Sequence, residues 1–124
     1  MTGMPRRRRT SGQPKITERQ WQAQVIQIAR LHGWMVHWTW NSRHSPPGEP
    51  DLRMLKVTQY PSRHVGRYLL AELKTDAGKL TAEQQDVANN LWCCAGIEFF
   101  VWRPKDLSEV IEVLSSDRPF PRQE

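Results

Sequence analysis

The chain has 124 residues, 38% of them apolar, enough for one domain whose core stands without disulfides or a structural metal. Its 18 Lys and Arg exceed its 13 Asp and Glu, but Arg6, Arg7, Arg8, Arg9 and Lys15 all lie in an opening stretch that holds no acid, and from residue 16 onward the two signs balance. The longest run free of charged or strongly polar side chains, Leu91 to Ile97, falls far short of the ~20 residues of a membrane helix, which excludes a bilayer-spanning protein.

No apolar segment of the signal-peptide kind follows Arg9, and the only cysteines, Cys93 and Cys94, are neighbours that staple no loop. A cytoplasmic location in a bacterial or phage-infected cell is therefore expected. In chain order, residues 1–15 read as a disordered basic arm, 16–115 as the folded domain and 116–124 as a frayed tail. Thr17 with Gln20 forms a capping-box pattern, with Ile16 placed to staple onto Trp21. A helix is expected from Glu18 to His32, ending at Gly33, with Trp21, Val25, Ile28 and Ala29 inward. Trp34 to Trp40 reads as a strand whose alternating tryptophans suit core packing better than a platform for bases.

A Pro-rich loop, Asn41 to Pro50, precedes strands at Asp51 to Val57 and Arg67 to Lys74. Their short connection favours antiparallel pairing. Thr81 with Gln84 opens a second helix carrying Val87, Ala88, Leu91 and Cys94 on one face and stopping at Gly96, with Cys93 and Cys94 read as buried helical thiols. Ile97 to Trp102 is a fourth strand. Pro104 starts a final helix with Leu107, Val110, Ile111 and Leu114 inward.

Chemistry concentrates at Pro50-Asp51 and at Glu72-Leu73-Lys74. Alternate strand residues share a face, so Glu72 and Lys74 point together. A hairpin of the two strands would bring Asp51 beside them. Two carboxylates at neighbouring strand ends suit a hard cation such as Mg²⁺. Glu18 falls on the buried stripe of the first helix and needs a partner there, while Gln84, one turn before Val87, can orient a carboxylate, a water or a phosphate without adding charge. The competing reading, a solvated Glu72–Lys74 pair, predicts neither a third acid on a buried stripe nor a glycine and prolines before Asp51. The four histidines show no zinc spacing.

These residues resemble the PD-(D/E)xK nuclease superfamily, and within it the stand-alone VRR-NUC (virus-type replication-repair nuclease) proteins of bacteriophages and bacteria. The resemblance runs from about Thr17 to Leu114. It rests on Glu18, on Asn41-Ser42-Arg43 leading to Gly48-Glu49-Pro50-Asp51-Leu52, on Ala71-Glu72-Leu73-Lys74, on Gly78-Lys79-Leu80-Thr81 running into Gln84, and on Val101-Trp102-Arg103-Pro104. It implies an αβββαβ core, a mixed sheet flanked by helices, followed by a short C-terminal helix. It further implies Mg²⁺ or Mn²⁺ held by Glu18, Asp51, Glu72 and the backbone carbonyl of Leu73, with Lys74 positioning or activating the attacking water and Gln84 lining the site. Glu49 departs from the pattern, since many relatives carry a small or apolar residue there. Stand-alone members look like dimeric Holliday-junction resolvases, so a homodimer is implied as well.

The expected function is a metal-dependent DNA endonuclease acting on branched DNA, of the Holliday-junction or flap type, in recombination or repair. The alternatives are a non-catalytic nucleic-acid-binding protein and a restriction-like or nicking nuclease on ordinary duplex. Grip on DNA is assigned to Arg43, His44, Arg53, Lys56, Arg63, Arg67 and Lys79, with the arm residues Arg6, Arg7, Arg8 and Arg9 adding nonspecific phosphate contacts.

Overall fold

The structure is a computed structural model that describes residues 15–38, 47–59 and 64–117. The elements are α1 (Glu18–Leu31), β1 (Met35–Trp38), β2 (Leu52–Gln59), β3 (His64–Leu73), α2 (Ala82–Leu91), β4 (Glu98–Trp102), a 3₁₀ turn (Pro104–Asp106) and α3 (Leu107–Ser115). The strands form one mixed sheet in the order β1-β2-β3-β4, the first two pairings antiparallel and the last parallel. This is the expected α/β architecture, a four-stranded sheet with flanking helices. Trp40, the basic arm and the tail beyond Asp117 lie outside the described residues.

Both capping boxes form. The Thr17 hydroxyl accepts the Gln20 N–H and the Gln20 side chain accepts the Thr17 N–H, an arrangement repeated by Thr81 and Gln84. Ile16 packs against the cluster that holds Trp21. Period-two alternation then assigns each strand two faces. Leu52 and Met54 of β2 and Leu69, Ala71 and Leu73 of β3 turn toward Trp21, Val25 and Ala29 of α1 and Val110, Val113 and Leu114 of α3, forming the main core. The opposite face is covered by α2 only over β3 and β4, where Leu70, Ala88 and Phe99 are buried. Over β1 and β2 no described element covers that face, and Met35, Leu55 and Val57 are exposed among the described residues.

Buried tryptophans tie the layers together through their polar edges, as a buried indole N–H requires. Trp21 Nε1 donates to the Trp102 carbonyl at 3.0 Å and Trp34 Nε1 to that of Leu114 at 2.9 Å. Arg67 fills the space beneath Trp34, its guanidinium 4.8 Å from the ring centroid. It donates to both carboxylate oxygens of Glu98 and to the carbonyls of Val113 and Ser116. The ion pair thus also closes the C-terminal end of α3, where unmatched carbonyls would otherwise need water.

Several expected placements are corrected. In α1, Ile26 is buried and Ile28 only half-buried. In α3, Leu107 and Ile111 are exposed and Val113 takes the inner position. The second helix ends at Leu91, before Gly96, because the chain tightens into i to i−3 bonds from Cys93 to Asn90 and from Cys94 to Leu91. Trp92 thereby turns edge-on to Phe99 at 5.4 Å. Cys93 and Cys94 are accordingly exposed thiols beyond the helix. No helix among the described residues is long and apolar enough to cross a membrane.

Candidate active site

Asp51 is delivered by a tight approach between a loop and a helix. Gly48 has φ of +85°, and a Cβ there would lie 2.5 Å from the carbonyl oxygen of Glu83 in α2. Only glycine meets both demands. Pro50 is buried behind it, and the register that pairs Leu52 with Ala71 carries Asp51 to the level of Glu72. Asp51 Oδ2 accepts the N–H of Leu73 at 2.8 Å, which fixes the carboxylate against the end of β3.

Glu72 is 3% exposed. Its Oε2 accepts an N–H from Gln84 Nε2 at 3.0 Å. Burial, then the charge of Asp51, a hydrogen bond between the two carboxyls and the charge of Glu18 push the Glu72 pKa up to about 9, with Lys74 opposing.

Glu18 stands in the first turn of α1. Its side chain is exposed, not sunk in the apolar stripe, because the stripe's own top position is taken by Trp21. The carboxyl still belongs electrostatically to the cluster: desolvation and then Asp51 raise its pKa, and Lys74 lowers it. Lys74 is half-buried just beyond β3, where its N–H donates to the Trp102 carbonyl and extends the ladder by one bond.

The donor chemistry of Asp51 and Glu72 fits a hard divalent cation, which needs one or two carboxylates and keeps several waters. The full set of ligands is not gathered: among the described residues, no three of His, Cys, Asp and Glu are grouped closely enough to hold an ion.

The expected DNA-gripping cations scatter. Arg53 and Lys79 are exposed. Arg67 is reassigned, since its side chain is fully buried in the pair with Glu98, out of reach of a phosphate at the surface. Lys56 leans over the Trp34 ring at 5.8 Å, and burial, followed by the charge of Arg67, lowers its pKa. Burial thus removes Arg67 from the residues assigned to DNA grip. Arg43, His44, Arg63 and Arg6 to Arg9 lie outside the described residues.

Sequence reasoning missed Arg103, whose Nη2 donates to the Gly78 carbonyl, and Asp76, which accepts the N–H of Lys105 at 3.1 Å. Together they tie the loop after Lys74 to the turn before α3. No local pattern signals such contacts, which join segments about 25 residues apart.

No protein-family model matches the chain, and no curated protein or solved structure matches it.

Proposed function

We propose that this chain is a cytoplasmic, metal-dependent endonuclease that hydrolyses phosphodiester bonds in branched DNA, a PD-(D/E)xK enzyme of the VRR-NUC kind. The observation that carries the reading is the Asp51–Glu72 carboxyl pair, poised at the ends of adjacent strands with Lys74, Glu18 and Gln84 around it. Two acids forced together gain from a cation between them, whereas a pure nucleic-acid binder gains nothing from carboxylates set against a phosphate.

Asp51 and Glu72 would hold Mg²⁺ or Mn²⁺, the Leu73 carbonyl and Glu18 being the further ligands that the resemblance implies. The ion would offset charge on the phosphoryl oxygens and lower the pKa of a bound water. The chain's own groups do the rest. The Leu73 N–H and the Gln84 amide hold the two carboxylates in place. Lys74 either takes the proton of the attacking water or stays charged and holds the hydroxide.

The test is a cleavage panel of four-way junction, flap, blunt duplex and single strand with Mg²⁺ or Mn²⁺, run beside Glu72→Ala. Metal-dependent cutting that Glu72→Ala abolishes is the expected result. Equal cutting by the variant, or none by the wild type on any substrate, overturns the proposal.

A further inference from the structure

Lys74 leaves the end of β3 with its backbone fixed, its N–H on the Trp102 carbonyl at 3.1 Å. The chain then folds back in a tight turn, Thr75 to Gly78, closed by the Gly78 N–H on the Thr75 carbonyl at 3.1 Å. The turn brings Gly78 against the lysine's own stem. A Cβ on Gly78 would lie 3.5 Å from Lys74 Cδ and 3.0 Å from Thr75 Oγ1, so any side chain there would touch the Lys74 methylenes and press on the Thr75 hydroxyl. The charge at the end of that stem acts on the carboxyl pair, since it opposes the upward shifts of Glu72 and Glu18.

The turn is held by the segment after β4. Arg103 Nη2 donates to the Gly78 carbonyl. The backbone of Arg103 is held in turn by Asp106, whose Oδ2 accepts the Arg103 N–H at 2.9 Å and whose own N–H donates to the Arg103 carbonyl at 2.7 Å. Asp76, inside the turn, accepts the Lys105 N–H at 3.1 Å. An unbroken series of contacts therefore runs from Asp106 through Arg103 and Gly78 to the Lys74 stem.

We infer that Arg103 is a positioning residue for Lys74: by holding the Gly78 carbonyl it fixes the seat of the Lys74 stem, and so sets where the ammonium stands relative to Asp51 and Glu72. Its effect on cleavage rests on the nuclease reading, and its effect on Lys74 on the contacts alone. A lysine ammonium sits on a flexible four-carbon stem and stays in one place only if that stem is held. A group that works on an attacking water must be so held, because the chemical step depends on near-attack geometry.

The first arm of the test follows the Lys74 Cε–H resonance of the metal-free full chain, assigned by its loss in Lys74→Arg. Lys56, over the Trp34 ring, is the reference. The Lys74 resonance should move in Arg103→Ala and in Gly78→Val, and stay near its wild-type place in Arg103→Lys, which keeps a charged donor for the single carbonyl. Gly78 lies outside the left-handed region, so its substitution strains no backbone. If Lys56 moves as well in Arg103→Ala, that variant has lost its fold, and Gly78→Val, which leaves Arg103 whole, decides.

The second arm measures single-turnover cleavage of the best-cut substrate of the panel with Mg²⁺. Arg103→Ala and Gly78→Val should each lower the rate about 10- to 100-fold, the scale of a misplaced group, at unchanged half-saturation, and Arg103→Lys should recover most of it. The two changes combined should cost no more than the larger alone, because both act through one seat. A Lys74 resonance that stays in place in both variants overturns the inference, as do rate losses that multiply in the double variant. A moved Lys74 in a chain whose wild type cuts nothing sinks the nuclease reading and leaves the seat standing. Cutting by the wild type with Lys74 unmoved in the variants does the reverse.

Discussion

Gln84 gives its side-chain N–H to Glu72 Oε2 at 3.0 Å while its side-chain oxygen takes the backbone N–H of Thr81 at 2.9 Å. One amide therefore caps α2 and fixes a buried carboxyl. A capping box accepts Glu or Gln equally at this position, but an ionised Glu here has no N–H to give and would set a further carboxylate against the pair. Gln84→Glu should keep the cap and lower cleavage at least tenfold, read by circular dichroism and single-turnover kinetics. A rate equal to wild type would remove Gln84 from the site.

The raised pKa of Glu72 predicts how stability varies with pH. A carboxyl that keeps its proton in the folded chain to about pH 9, and releases it near the ordinary value of 4.5 when unfolded, favours folding in its protonated form. Its contribution is present in full below pH 4.5, declines as pH rises from there, and is gone above about 9. Glu18, raised in the same direction, adds to the decline. Melting temperature measured between these limits should fall more steeply with pH in the wild type than in Glu72→Gln. Parallel curves would show that the Glu72 carboxyl is not held in its protonated form by the fold.

Gly48→Ala should be destabilised by about 1–3 kcal/mol, the range for a residue held at a strained φ, with further loss from the contact with Glu83. Because that contact sits at the N-terminal turn of α2, the change displaces Gln84 and Asp51 together, and cleavage should fall beyond what stability explains. Gly66→Ala is the control, since a Cβ there meets nothing within 4 Å. Equal effects at both positions would refute the account of the loop.

Arg67→Met removes the guanidinium from the buried Glu98 carboxylate and should cost about 3–5 kcal/mol in a denaturant titration. The folded fraction should bind DNA with an unchanged salt dependence. Arg53→Gln and Lys79→Gln, at exposed positions, should each flatten the slope of log K against log salt by about 0.9 for every phosphate the wild-type side chain neutralises. A flattened slope in Arg67→Met would return that residue to the DNA-facing surface.

How much of the fold and the site was legible in the chain follows from the range of the forces involved. Both capping boxes, the α1 start, the antiparallel pairing of β2 and β3, and the meeting of Asp51 with Glu72 follow from patterns within a few residues or from one short hairpin connection. Local hydrogen bonding and period-two alternation suffice to state them. The fate of the cations was decided elsewhere. Arg53 and Arg67 look alike in sequence, and only the parallel docking of β4 beside β3, which brings Glu98 onto the Arg67 guanidinium near the carbonyls of α3, makes one a buried strut and leaves the other in water. The same holds for Gly48, whose need for a bare α-carbon arises from a helix 35 residues further on. Sequence alone determines which groups are chemically able to act; packing between distant segments determines which of them remain free to do so, because burial forces each polar group to take a partner inside the fold.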